Sequence, residues 1–245
     1  MIDAHCHLSH PKFDSDRRLA IERAKSHLTA IFETGGNLEQ NQHALELSIA
    51  HKKFAYACIG LAPHYAVESD AKKEFEFIER NPDHIKAICE SGLEYHYFAD
   101  EKSRERQKII FREQLILAEK IGVPAIIHCR EAWDDLLLIL KDFPLQKVML
   151  HFFNKPAYLQ EVLRRGYYIS IATLKSKDVD KIIRDAPLNN LLTETDSPYL
   201  WQGERNEPGN VRFVYDRIAE IKKIPVEQVR QSVMANASQF FEIVF

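Results

Sequence analysis

The chain has 245 residues, of which 45% are hydrophobic, and its 33 Lys and Arg against 36 Asp and Glu give a formal charge of −3. This composition belongs to folded globular chains, and with only 8 glycines and 10 prolines it excludes collagen-like and low-complexity architectures. The slightly acidic balance also excludes nucleic-acid binding by bulk charge, which leaves a basic footprint, so any polyanion must be met by a local device such as metal ions.

In chain order, short runs rich in Val, Ile and aromatic residues alternate with longer amphipathic stretches, the pattern of repeated βα units. Strands are expected at Met1–His7, Leu28–Thr34, Phe54–Gly60, Ile85–Glu90, Pro124–His128, Lys147–Phe152, Tyr167–Ile171 and Leu191–Asp196. Helices fall between them, among them Ser15–His27, Asn37–Lys52, Lys102–Ile121 and Ala132–Lys141. Eight units in 245 residues average about 31 residues each, and a (β/α)8 TIM barrel takes about 250 residues. A doubly wound open sheet fits less well, because no Gly-rich turn follows the first strand. The segment Glu207–Phe245 reads as two more helices, the second opening near Pro225 with Glu227 in its first turn. No boundary interrupts the rhythm, so residues 1–245 are expected to form a single domain, an α/β (β/α)8 barrel with an additional C-terminal helix. No exposed heptad appears, and a monomer is expected.

No apolar run reaches the roughly 18 residues of a membrane span, and the opening MIDAHCHLSH lacks the features of a secretory signal. No membrane partner and a cytoplasmic location follow as expectations. Cys6, Cys58, Cys89 and Cys129 stand singly and read as reduced thiols.

The chemistry gathers at strand ends. His5 and His7 close the first strand, Glu90 the fourth, His128 the fifth, His151 the sixth and Asp196 the eighth. These are C-terminal ends, where barrel enzymes carry their active sites. Side chains alternate along a strand, so Asp3, His5 and His7 share one face while Ile2, Ala4 and Cys6 share the other. An isolated HxH pair also occurs as buried histidines that merely satisfy hydrogen bonds. Four imidazoles and two carboxylates at one end of one barrel point instead to a metal centre, suited to Zn²⁺, Mn²⁺, Fe²⁺ or, less well, Mg²⁺.

Six ligands exceed the need of one tetrahedral ion, so two divalent ions are expected. His5, His7 and Asp196 would hold one, His128 and His151 the other, with Glu90 bridging. Asp196 and Glu90 are then the catalytic carboxylates, and Asp196 is the expected general base for an attacking water. Such a pair of ions lets an acidic chain clamp a phosphodiester.

The neighbours carry paired readings. Glu194, two residues before Asp196, either pairs with a buried Arg or Lys or orients a ligand from behind. Arg130 either meets a phosphate or bridges to Glu131 or Asp134, and His64 could donate to a phosphate oxygen. Cys6, Cys89 and Cys129 adjoin ligands, but alternation turns them to the opposite face as small buried apolar groups. His27, His43, His51, His84 and His96 read as ordinary surface or core residues.

These residues lie in motifs that span the chain: DAHCHL at Asp3–Leu8, GLAPH at Gly60–His64, ICESGLEY at Ile88–Tyr95 and PAIIHCREA at Pro124–Ala132. HFFNKP at His151–Pro156, LLTETDSPYL at Leu191–Leu200, RNEPGNV at Arg205–Val211 and NASQFF at Asn236–Phe241 continue the series. Jointly they resemble the TatD-type metal-dependent deoxyribonucleases of the amidohydrolase superfamily. The resemblance implies a (β/α)8 barrel, a divalent-metal site and hydrolysis of DNA phosphodiesters, often from the 3′ end. It carries metal-ligand roles onto His5, His7, Glu90, His128, His151 and Asp196. Departures lie at Ala62, where the family usually has His, at Glu94, where it has Asp, and at Phe152–Lys155 in place of a Cys-Phe-Ser-Gly-like run. None removes a metal ligand, although all alter loops expected to touch substrate, and Lys155 could supply a phosphate contact or cap the following helix.

Metal-activated water also attacks carbonyls, so an ester, lactone or D-aminoacyl-tRNA hydrolase on the same scaffold is the alternative. Related barrels often carry a carbamylated lysine at the end of the fourth strand, and Glu90 at that place favours the nuclease-like group. A non-catalytic metal- or nucleic-acid-binding protein is a third reading, against which the complete ligand set argues.

Overall fold

The computed structural model describes residues 1–245 except 144 and 146. Eight parallel strands neighbour one another in sequence order: β1 (Ile2–Cys6), β2 (Ala30–Thr34), β3 (Ala55–Ile59), β4 (Ile85–Glu94), β5 (Ala125–Arg130), β6 (Val148–Leu150), β7 (Tyr168–Ile171) and β8 (Leu191–Thr193). The connections carry α1 (Arg17–Lys25), α2 (Leu38–Ala50), α3 (Pro63–Ala66), α4 (Ala71–Glu79), α5 (Glu101–Ile121), α6 (Trp133–Ile139), α7 (Leu159–Arg164) and α8 (Lys177–Asp185). After β8 come α9 (Arg212–Lys222) and α10 (Val226–Phe241). This is the (β/α)8 barrel read from the alternation. No helix among the described residues is long and apolar enough to cross a membrane.

Local signals set the helix ends. The Asn37 and Asp100 side chains accept the backbone N–H groups of Gln40 and Ser103 and start α2 and α5, and Ser176 starts α8 in the same way through Val179. Gly122, at φ 73°, ends α5 in the left-handed conformation. Every residue of β1, β2, β6, β7 and β8 is buried, as expected of parallel strands covered by helices on one side and the barrel core on the other.

The two C-terminal helices are tied to the first strands. Ile2 N–H donates to the Tyr215 hydroxyl of α9 at 3.0 Å, and Phe241 of α10 stacks on Phe32 of β2 with ring centroids 3.5 Å apart. Burying each such aromatic contributes about 2–3 kcal/mol. The Asn236 amide reaches the carbonyls of Leu188 and Leu191 at 2.9 and 2.7 Å, so α10 also holds the start of β8.

Beyond the last strand the chain returns to the first. Asp196 N–H donates to the His5 carbonyl at 3.0 Å and His7 N–H to that of Ser197 at 2.8 Å. The buried Asp3 carboxylate takes the Thr195 N–H at 2.9 Å and the Thr195 hydroxyl. These bonds close the ring at the edge where the site lies.

The ends of β1, β3, β5 and β6 differ from expectation by one or two residues, which leaves His7 and His151 just past their strands, and two ends differ by more. β4 runs four residues past Glu90 to Glu94, and β8 stops at Thr193, which leaves Asp196 in the following loop. Gly92 explains the long β4: it pairs with His128 at φ 145°, and a Cβ there would lie 1.9 Å from the His128 carbonyl oxygen. Only glycine allows β4 and β5 to approach so closely at that φ. Gly92→Ala is expected to cost at least about 3 kcal/mol, a fall in Tm of roughly 6–12 °C for a chain of this size. A thermal melt that moved by less than about 2 °C, within the effect of an ordinary surface change, would remove this account of the β4–β5 contact.

Candidate metal centre

Every residue expected at the site reaches the mouth of the barrel at the C-terminal strand ends. Two trios of donor atoms form there. In the first, Nε2 of His5 and Nε2 of His7 face each other at 3.1 Å, and Oδ1 of Asp196 lies 3.6 and 3.2 Å from them. In the second, Oε1 of Glu90 lies 2.9 Å from both His128 Nδ1 and His151 Nε2, which are themselves 3.0 Å apart. The rings of His5 and His151 stack at 4.3 Å and join the trios, so that His5, Glu90 and His151 also converge. A cavity of about 940 Å³ opens above them, lined by His7, Glu90, His128, His151 and Asp196 and, around the rim, by His64, Arg130 and Lys155.

These spacings fit a divalent cation. Metal–ligand bonds of about 2.0–2.2 Å place neighbouring ligands roughly 3.0–3.5 Å apart, the separation seen within both trios. Imidazole nitrogens facing one another at 3.0–3.1 Å can share only one proton between them, and a cation satisfies both lone pairs at once. The remaining ring nitrogens fix the orientation. His7 Nδ1 lies 3.1 Å from the Thr34 carbonyl, which can only accept, so Nε2 is left free as a donor to metal.

The electrostatics point the same way. Burial lowers the His7 pKa, but the Asp196 carboxylate outweighs it and lifts it to about 9. Burial likewise lowers His128 and His151, and both are raised by carboxylates, His128 by Glu90 and Glu94, His151 by Glu194 and Glu90. Burial raises Glu90, yet hydrogen bonds from His128 and His151 hold it well below the usual carboxylate range. His5, enclosed by burial and by neighbouring imidazoles, is pushed towards neutrality. The pocket as a whole favours positive charge among its carboxylates.

Glu194 stands directly behind His151. Its carboxylate accepts the Phe152 N–H at 2.8 Å and the Ser170 hydroxyl at 2.6 Å, with Oε1 3.6 Å from His151 Nδ1, and burial raises its pKa. No Arg or Lys among the described residues pairs with it. Arg130 does not bridge to Glu131 or Asp134. Glu131 meets His96 and Asp134 the Tyr158 hydroxyl, while the Arg130 guanidinium lies over the Tyr97 ring. His64 faces the cavity with Nε2 3.5 Å from Glu94.

Three participants have no site role in the sequence reading, where Glu94 is only a departure from the family pattern and Asp3 only a neighbour of His5 on the inward face. Glu94, fully buried, receives His128 Nε2 at 3.2 Å and is fastened by the His96 N–H and by Gln107. Glu33 accepts the N–H groups of Leu8 and Ser9 at 2.8 and 2.6 Å and shapes the chain just past His7. Asp3 does the same for Thr195. A lone carboxylate inside an apolar strand is the signal that could have found Glu33 and Asp3. The reading of Cys89 needs correction, because its thiol does not turn away but lies 3.6 Å from His5 Nδ1. The register between β4 and β5 shifts between Ile88 and Ser91, and this breaks the alternation on which that reading relied.

An eight-stranded parallel barrel with clustered imidazoles and carboxylates at its C-terminal mouth has the architecture of a barrel enzyme with a metal-ligating cluster. The model of the family "TatD related DNase" matches residues 2–242, and the chain belongs to that family. Its relatives include the uncharacterized metal-dependent hydrolase YabD of Bacillus subtilis, 33% identical with 99% of each chain covered. They also include the human deoxyribonuclease TATDN3, 30% identical over 98% of this chain and 94% of the other. Among solved structures, that of YjjV, a TatD homologue from Escherichia coli, matches with a TM-score of 0.90 at 27% identity, covering 100% of this chain and 98% of the other.

Proposed function

We propose that the protein is a divalent-metal-dependent phosphodiesterase that acts on DNA and releases nucleotides from the 3′ end. The carrying observation is the pair of donor trios at 2.9–3.6 Å, whose spacing suits two ions about a shared wall of imidazole and carboxylate. His5, His7 and Asp196 would hold one ion and His128 and His151 the other, with Glu90 between. Bound there, divalent cations supply an acidified water and offset charge on phosphate oxygens.

The chain's own groups do the rest. Asp196 lines the cavity beside His7 and accepts the proton of the attacking water. Glu90 Oε1, 2.9 Å from His128 Nδ1 and from His151 Nε2, would complete the ligand set those two rings offer. Arg130 and His64 at the rim donate to the non-bridging oxygens of the phosphate. Glu194 grips the backbone after His151 and so positions that ring. The name deoxyribonuclease borne by TATDN3 supports DNA as substrate, and four free thiols suit a reducing compartment such as the cytoplasm.

The test measures metal content by elemental analysis on the preparation used to follow nucleotide release from single-stranded DNA, before and after chelation and after reloading with Mg²⁺, Mn²⁺ or Zn²⁺. About two ions per chain and release restored by metal are expected. Bound metal with no release under any ion would overturn the DNA reading and favour carbonyl hydrolysis, with aminoacyl-tRNA as the next substrate to assay. Absence of bound metal would overturn the metal centre itself.

A further inference from the structure

Most surface tyrosines need no explanation, but two at the mouth of this barrel share an unusual setting. Tyr97 is 62% exposed and Tyr199 is 44% exposed, and both line the cavity above the donor trios. Each follows a site carboxylate by three residues and is tied to it through the backbone: Tyr199 N–H donates to the Asp196 carbonyl at 2.8 Å, and Tyr97 N–H to Glu94 Oε1 at 3.4 Å. Tyr199 stands beside His7, with ring centroids 6.3 Å apart. Tyr97 stands beside His64 at 5.9 Å, and His64 beside His128 at 5.4 Å. Tyr199 therefore adjoins the first trio and Tyr97 the second. Their parent loops follow β8 and β4, which lie across the barrel from each other in a ring ordered β1 to β8.

A cation accompanies each ring. The Arg130 guanidinium lies 5.0 Å from the Tyr97 centroid, and Lys12 Nζ lies 5.4 Å from that of Tyr199. Among the described residues neither cation has a carboxylate within ion-pair distance, nor does Lys155 on the same rim, whereas Arg17, Arg23, Arg205 and Arg217 are all paired. Exposed aromatic rings, each with an unpaired cation at one face and set on opposite sides of the donor trios, match the alternation of base and phosphate along a polynucleotide.

We infer that Tyr97 and Tyr199 are stacking platforms for the two nucleobases that flank the reacting phosphate, with Arg130 on that phosphate and Lys12 meeting the next phosphate along the strand. The inference rests on the phosphodiesterase reading and adds to it the residues that grip unpaired bases. The rings act as binding residues, so their contribution falls on capture of the strand.

The experiment is a cycle on the metal-loaded enzyme. It compares kcat/KM for a single-stranded oligonucleotide with that for the same oligonucleotide carrying an abasic residue at its 3′-terminal or penultimate position, in wild type, Tyr97→Ala, Tyr199→Ala and the two Phe variants. Each Ala variant is expected to lose about 5- to 150-fold, the range of one base–aromatic stack, chiefly in KM. Phe is expected to restore most of it. One abasic position should cost the wild type a similar factor and cost the matching Ala variant almost nothing further. Ala variants at wild-type kcat/KM, or abasic losses undiminished in them, would overturn the inference while leaving the nuclease reading intact. If the wild type releases no nucleotide, that reading fails by itself, and fluorescence anisotropy with a labelled single-stranded oligonucleotide decides the platforms. Binding weakened by the Ala variants and restored by Phe keeps them, and undiminished or undetectable binding removes them.

Discussion

Asp196→Asn is expected to reduce kcat by about 10²- to 10⁴-fold, the contribution of a positioned general base, while the Glu90 trio keeps its ion. The amide retains the shape of the carboxylate and can still face His5 and His7, but it cannot take a proton from water at neutral pH. Asparagine is also the suitable replacement for the backbone. Residue 196 has φ 52°, a left-handed conformation that Asp and Asn tolerate and Ala does not. A loss of activity in Asp196→Ala would therefore mix chemistry with strain, whereas Asn separates them. Rapid-quench assays on metal-loaded protein, with metal content and melting temperature measured in parallel, provide the check. Turnover at the wild-type rate would remove Asp196 from the role of base.

Glu90→Ala is expected to lose both metal and turnover. Oε1 of Glu90 is the one acceptor that His128 Nδ1 and His151 Nε2 both reach at 2.9 Å. Without it the carboxylate that helps raise both imidazoles is gone, and their nitrogens face each other at 3.0 Å with mutual repulsion and no shared acceptor. Removing one side of a buried charged group costs about 3–5 kcal/mol, and the ion that would have offset the repulsion loses a ligand. We expect occupancy to fall by about one ion per chain and activity by at least about 10²–10³-fold, the effect of deleting a single electrostatic contact. Glu90→Gln, which keeps the volume and one acceptor oxygen, should fold better than Ala yet bind metal poorly. Full metal content in Glu90→Ala would show that the second trio is not a ligand set.

Much of this arrangement could be read before any coordinates. The barrel followed from apolar runs recurring about every 31 residues across 245 positions, and α1, α2, α5 and α6 lie within two residues of their expected ends. The donor residues were legible because strand termini are fixed by pattern, and barrel topology brings all C-terminal termini to one mouth. What resisted reading was whatever departs from ideal periodicity. β4 continues through Gly92 to Glu94, and a glycine followed by a charged residue looks like a strand end unless the approach of β5 is known. The slip between Ile88 and Ser91 returned Cys89 to the side of His5. The exposed rings of Tyr97 and Tyr199 lie in loops, where no period says which way a side chain turns. Asp3 and Glu33 were hidden by their neighbours, since their partners are backbone groups or a threonine brought close only by the fold.

The hydrogen bonds between β1 and the chain beyond β8 make the donor cluster the clasp of the ring. Asp3 and Thr195 are 192 positions apart, and the first trio draws His5 and His7 from one end of the chain and Asp196 from near the other. During synthesis the HxH pair emerges first, and 189 positions separate His7 from Asp196, the third donor of its trio. A ligand shared by the two ends binds the closed ring far better than an open one, and so adds RT ln(1 + [L]/Kd) to the stability of closure. On the proposed reading, cation availability would therefore act on closure of the ring as well as on turnover. A nascent or clipped chain that stops before Asp196 keeps the Glu90 trio but only two of the three donors of the first, and on the proposed reading it lacks the general base as well.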